Sequence, residues 1–144
     1  MIISEIEVFT EDIMWFAVDK NGYIGMFTSS VYGNVPRFVC ESREKLEQLE
    51  KYFCDELRNK TDIIITKDEY LVFDDYTELA RKGLFCFDAF KDNKHIESYI
   101  NVIKPLKKFK VRETPDDIKR ILKDCIFEQF DFDKHDVIDV ENAY

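Results

Sequence analysis

The sequence predicts an α+β fold: a mainly antiparallel sheet that begins with an N-terminal β-hairpin and packs against two or three amphipathic helices. Three observations predict it. Asn21-Gly22 separates two short strand-like runs, Met14–Val18 and Tyr23–Thr28, and these residue types accept the positive φ of a tight hairpin. Apolar residues recur at helical spacing in two later stretches. Strand-like and helix-like stretches then follow in mixed order rather than as a regular strand–helix repeat, which argues against a doubly wound parallel sheet.

Length and composition bound the rest. A chain of 144 residues falls within one domain, read here as residues 1–144. At this size roughly 70% of the unfolded surface is buried, so neither a metal nor a disulfide is needed to hold a core. Aromatic residues make up 15% of the chain, which argues against disorder. With 4 Gly and 3 Pro there is no material for a flexible linker.

Each element has its own signal. In the hairpin, Asp19 before the turn and Lys20 within it are expected to keep the tip wet. Gly33 and Pro36 then mark a loop. Ser42 is a candidate N-cap, with Glu44 in the first turn at the positive end of the helix dipole. Leu46, Leu49, Phe53 and Leu57 make the apolar stripe of a helix expected over Arg43–Asn59. Ile63–Ile65 reads as a short buried strand, and Tyr70–Phe73 as another. Tyr76, Leu79 and Ala80 fit a brief helix closed by Gly83. Leu84–Phe90 is dense in aromatics and suits a central strand. Tyr99–Val111 alternates loosely, with Pro105 expected at a break or an edge. Thr114-Pro115-Asp116-Asp117 reads as a helix start in which Thr114 caps and Pro115 takes the first helical position. Ile118, Ile121, Leu122 and Cys125 form its apolar face. Phe127, Phe130 and Phe132 belong to a terminal strand or a docked irregular segment.

The formal charge is −9 and the pI about 4.8. That field repels phosphate backbones and anionic lipid, so neither nucleic acid nor membrane is expected as a partner, whereas a basic protein would be drawn in. No apolar run approaches a membrane span. The stretch MIISEIEVFTEDIM has neither the basic nor the continuous apolar region of a signal peptide. Cys40, Cys54, Cys86 and Cys125 are scattered without CxxC spacing and read as reduced thiols filling core positions. The chain reads as cytoplasmic.

The usual chemical signatures are missing. Phosphate-binding loops need clustered glycines that are absent here, and no GxSxG elbow occurs. His95 and His135 are the only imidazoles, and nothing brings either to a thiol. Asp131, Asp133, His135, Asp136 and Asp139 alternate like the start of a calcium loop. Asp136 stands where that loop requires glycine, and Asn142 where it requires glutamate. No metal, no cofactor and no catalytic residue is therefore expected.

What the sequence does offer is a surface. From Asp124 onwards seven acids meet one lysine, Lys134. Just upstream, Lys104, Lys107, Lys108, Lys110 and Arg112 form a basic stretch. The two either face each other or water, or they make a polarised face for a charged partner. The candidate partner-binding residues are Asp131, Asp133, Asp136, Asp139 and Glu141, together with Tyr32 and Asn34 on the loop after the hairpin.

Asp12, Trp15, Phe16, Ala17, Val18, Asp19, Phe27, Thr28, Ser29, Gly33 and Pro36 form a pattern that resembles a group of small bacterial proteins. Some of these are similar to immunity proteins encoded beside polymorphic or contact-dependent toxins. The resemblance covers about the first 60 residues. It implies a non-enzymatic protein that neutralises a toxin domain by direct binding through an acidic surface. Two alternatives stay open on the residues alone. One is a small enzyme or ligand-binding regulatory domain of unknown substrate, and the other a homo-oligomer whose surplus aromatics lie between subunits.

Overall fold

The computed structural model describes residues 1–67, 74–90 and 98–144. The hairpin is formed by β1 (Met14–Val18) and β2 (Ile24–Thr28), with Val18 opposite Ile24. Its connection is longer than the two-residue Asn-Gly turn expected, and Gly22, at φ +82°, is the turn residue with positive φ. Asp19 explains the difference. Its carboxylate accepts the N–H groups of Asn21 and Tyr23, each at 2.9 Å, so a side chain closes the loop together with the backbone bonds from the Asp19 N–H to the Tyr23 carbonyl (3.0 Å) and from the Gly22 N–H to the Asp19 carbonyl (3.2 Å). The expectation that Asp19 keeps the tip wet is thereby corrected, because only 2% of it is exposed.

One sheet holds the strands, in the order β1-β2-β4-β5-β3, where β3 is Ile63–Ile65, β4 Phe85–Phe90 and β5 Ser98–Pro105. A final strand, β6 (Val137–Ile138), also pairs with β5. The β2–β4 pair is parallel and the remaining pairs are antiparallel. The outer edge of β5 changes partner along its length: Tyr99 and Ile100 pair with β6, whereas Ile103 to Pro105 pair with β3. A bulge separates the two regions, since Cys86 lies opposite Ile103 but Phe87 opposite Asn101. The Asn101 side chain, 1% exposed, fills it. It donates to the carbonyls of Cys86 (3.2 Å) and Ile103 (3.1 Å) and accepts from the Thr66 hydroxyl (2.9 Å). An extra residue in the ladder thus leaves no orphaned polar group there.

Cross-strand aromatics organise one face of this sheet. Trp15 stacks on its partner Phe27 at 4.1 Å, and Phe27 on its partner Phe87 at 4.7 Å. Phe127 and Phe132 from the C-terminal segment close over them edge-on. On the other face Phe16 meets Phe53. Leu84–Phe90 is central, as expected. Ile63–Ile65 is a strand, but an edge one: Ile64 and Ile65 are about half exposed, at 49% and 51%, against the expected burial. Pro105 ends β5, where its missing N–H costs nothing. The strand expected at Tyr70–Phe73 lies outside the described residues.

The helices follow their local chemistry with three corrections. A short α1 (Glu5–Thr10) was not anticipated, although Ser4 and Glu7 form a reciprocal capping box. A four-residue α2 (Arg37–Cys40) follows Pro36. In α3 (Arg43–Lys51) the Ser42 hydroxyl caps as expected, but the α-helix stops short of Asn59. A π-helical turn over Tyr52–Glu56 follows, closed by the Leu57 N–H on the Tyr52 carbonyl. The wider turn lets both Tyr52 and Phe53 bury. The Lys82 ammonium then caps this end, donating to the carbonyls of Phe53 (2.7 Å) and Cys54 (2.8 Å). The expected brief helix is α4 (Asp74–Arg81), followed by Gly83 at φ +109°. At α5 (Asp116–Leu122), Pro115 rather than Thr114 is the cap residue, since the Thr114 hydroxyl donates backwards to the Val111 carbonyl at 2.6 Å. Beyond α5 the chain is a docked irregular segment, with a turn at Asp131–His135 and strand only in β6.

Candidate functional site

The end of the hairpin, the C-terminal end of α1 and the outer face of α3 bound a cleft of about 400 Å³. Its walls carry Ile13, Met14 and Leu46 and its mouth carries Glu11, Asp12, Glu47 and Glu50, with Arg43 among them. The sequence places these acids for different reasons. Glu47 and Glu50 belong to the polar face of α3, one turn apart. Glu11 and Asp12 lie where α1 ends, and the Glu11 N–H closes that helix on the Glu7 carbonyl. Arg43 sits at the start of α3 and bridges back to α1, pairing with Glu7 and with Glu11 (3.1 Å). Glu7 is held below the ordinary carboxylate range first by the Ser4 N–H and hydroxyl and then by Arg43. Four carboxylates thus share the cleft with one guanidinium, which is engaged by Glu7 and Glu11.

Thr28 and Tyr76 line the same cleft and begin a buried relay. The Tyr76 and Thr28 hydroxyls are 2.6 Å apart. Thr28 donates to Asp88 Oδ1 at 2.9 Å, which makes Tyr76 the donor to Thr28. Ser30 donates to the same oxygen at 3.0 Å. Burial raises the Asp88 carboxyl above its ordinary value, while the Thr28 and Ser30 hydroxyls oppose the shift. Burial also pushes the Tyr76 phenol up. The loop that leaves this relay is strained: Ser30 has φ +51° and Val31, β-branched and 43% exposed, φ +61°. The Ser30 N–H on Asp12 Oδ1 (2.8 Å) and the Gly33 N–H on the Ser29 carbonyl (2.7 Å) hold it there.

Of the residues singled out in the sequence, Asn34, Asp139 and Glu141 gather around Val140, while Asp133 and Asp136 meet Lys108 and Lys104. Tyr32 donates its hydroxyl to the Ala89 carbonyl (2.9 Å) and Asn34 its amide to the Val140 carbonyl (2.7 Å). Both therefore brace the loop against the sheet and the tail. Among the described residues, Asn34 Oδ1 is buried without a hydrogen-bond partner. Asp131 is 6% exposed and caps its own turn through the Asp133 N–H, which removes it from the acidic face. Asp133 lies 3.8 Å from Lys108, and Asp136 lies 3.6 Å from Lys104. The acidic and basic stretches thus meet at two of their members each, Asp133 with Lys108 and Asp136 with Lys104. Such exposed pairs contribute little stability, but they neutralise part of the tail. Asp139 accepts from Ser98 at 2.5 Å. Asp139 and Glu141 border a shallow hollow floored by Phe38, Phe127 and Val140. The cleft acids escaped the sequence reading because their convergence is tertiary: Glu47 and Glu50 read as an ordinary solvated helix face.

Nucleophile and metal chemistry find little here. Burial pushes the Cys40 thiol up to about 11 and that of Cys125 to about 12, and Cys86 shifts the same way. His135 Nδ1 faces the backbone of Asp131, and His95 lies outside the described residues. Among the described residues there is no grouping of His, Cys, Asp and Glu suited to a metal ion, and no helix long and apolar enough to cross a membrane.

No family model matches the chain, and no curated protein or solved structure matches it significantly.

Proposed function

We propose that this chain is a non-enzymatic cytoplasmic binding protein that neutralises a basic protein partner, as an immunity protein does with its cognate bacterial toxin. The observation that carries the reading is the convergence of Glu11, Asp12, Glu47 and Glu50 on one cleft mouth with apolar walls. A Lys or Arg side chain entering there would lay its alkyl stem on Ile13, Met14 and Leu46 and its charge among the carboxylates. The resemblance carried by Asp12 and the residues from Trp15 to Pro36, to small bacterial proteins of which some are similar to immunity proteins, supports the same reading, as does the overall charge of −9. The test is affinity capture of the tagged chain from its native cells at low and then high salt. The reading expects one basic partner, released as salt screens the charges, that arrests growth when expressed alone and is silenced by this chain. An acidic or salt-insensitive partner, or a partner harmless on its own, overturns it.

The Tyr76–Thr28–Asp88 relay at the base of the cleft favours a second reading, a pocket for a small polar ligand. Perturbed carboxyl and phenol groups in a cleft mark many binding and catalytic sites. A thermal-shift screen of small amines decides this: stabilisation that vanishes in Thr28→Val supports it, and a flat screen removes it.

A further inference from the structure

We propose that the outward face of α1 is a docking surface for a protein whose apolar pocket is ringed by Lys and Arg. The inference rests on the reading of the chain as a binding protein for a basic partner, and it adds a second surface beside the cleft.

The observation is a helix that is apolar on two sides. The inner side seats the segment in the core, with Ile3 and Val8 at 0% exposure. The outer side carries Ile6 and Phe9, three residues apart on one helical stripe and 75% and 44% exposed, while Ile2 (66%) lies in the segment before the extended Ser4 cap. Met1 (80%) and, in the same hollow as Ile2, Tyr144 (50%) are exposed as well. A six-residue helix held by a capping box and a few core contacts gains nothing in the isolated chain from a second apolar face. Exposed apolar side chains gathered on one helix face mark an interaction site.

Charge selects the occupant. Glu5 stands within the helix, Glu11 and Asp12 at its end, and Glu41 beside Ile2 and Tyr144 in a shallow hollow that also holds Arg37. The nearby N-terminal ammonium and Arg43 are both occupied, by Glu44 and by Glu7 with Glu11. With Glu11 paired to Arg43, the rim acids Glu5, Asp12 and Glu41 outnumber the rim cation Arg37. A second copy would set this rim against itself, because a two-fold contact uses the same patch on both sides. An anionic lipid surface is repelled, since surface-seeking helices carry Lys and Arg on their polar face. A partner with basic residues around an apolar pocket satisfies both features, and Glu11 and Asp12 make its footprint continuous with the cleft.

The test is amide-shift mapping on the ¹⁵N-labelled full chain, titrated with three short amphipathic peptides that share a Leu face and carry Lys, Gln or Glu opposite it. The Lys peptide is expected to shift Ile2, Ile6 and Phe9 first and to saturate. It should bind roughly ten-fold more weakly to Ile6→Ser and Phe9→Ser, and more weakly as salt rises from about 50 to about 300 mM. Both side chains are exposed, so these variants should keep the native spectrum. Equal binding of the three peptides overturns the proposal in favour of non-specific apolar adhesion. Shifts confined to the cleft or the tail overturn it while leaving the binding-protein reading intact. Absence of binding anywhere counts against both. Self-association of the chain alone, abolished by Ile6→Ser, would make a second copy the occupant and overturn it as well.

Discussion

The carboxylate of Asp19 fastens the hairpin turn to a segment 113 residues further along the chain, accepting the Phe132 N–H at 2.8 Å. Its other oxygen closes the turn itself on Asn21 and Tyr23. One buried side chain therefore serves three backbone donors, and it seats Phe132 against Phe27 and Phe87. Replacing it by alanine orphans those donors. Asp19→Ala should cost about 3 kcal/mol, read as a lowered urea midpoint, with Phe132 losing its protection. A loss under about 0.5 kcal/mol would mean that water replaces the carboxylate without penalty.

Asp88 sets a pH dependence of unusual sign for an acid. Burial raises its carboxyl, against the pull of the Thr28 and Ser30 hydroxyls, so the folded chain binds that proton more tightly than the unfolded chain does. Its contribution to stability is full below the unfolded value of about 3.9 and is lost as pH rises through the higher folded value. Asp88→Asn cannot titrate and keeps an oxygen for Thr28 and Ser30. The urea midpoint of the variant relative to wild type should rise from pH 4 to pH 7. A difference that stays flat across that range would show that Asp88 titrates normally.

Gly83 occupies a position that no side chain can share. It combines φ +109° with a Cβ direction that ends 2.6 Å from Phe109 Cβ and 2.7 Å from the Phe109 backbone nitrogen. Gly83→Ala should destabilise by at least ~2 kcal/mol, measured by urea or thermal unfolding. The neighbouring Lys82→Met, which removes the ammonium from the Phe53 and Cys54 carbonyls, should cost about 1–2 kcal/mol.

Val31 tests whether strain near the cleft has a use. Its left-handed backbone is unfavourable for a β-branched residue, and the residue is 43% exposed. Val31→Gly should raise stability by about 1 kcal/mol. If the loop is held in this form for binding, the more stable variant should bind the captured partner more weakly. Unchanged stability would place the strain elsewhere.

Local signals were legible wherever a few neighbouring residues decide the outcome. Ser42 caps its helix, Gly83 follows a short one, the aromatics of Leu84–Phe90 form the central strand, and the Asn21-Gly22 region turns a hairpin. The periodicity of Leu46, Leu49, Phe53 and Leu57 marked one buried stripe, and all four are buried. The places where the reading and the structure part are those where a distant group intervenes. Asp19 looked like a wet turn residue until Phe132 arrived to use it. Ile63–Ile65 looked buried by composition, but pairing on one side only leaves it at the edge of the sheet. Lys82 supplies the charge that ends the Tyr52–Glu56 turn from another element.

The candidate site divides in the same way. Sequence by itself determined the α+β class, the hairpin, the principal helices and the acidic balance, because propensity, capping and hydrophobic period act over a few residues. Only the tertiary structure decided which acids share a surface. It turned Asp133 and Asp136 towards Lys108 and Lys104, sank Asp131, and gathered Glu11, Asp12, Glu47 and Glu50 around one cleft. The physical reason is reach: charge acts through space, and the separation of two carboxylates from different elements is set by how those elements pack.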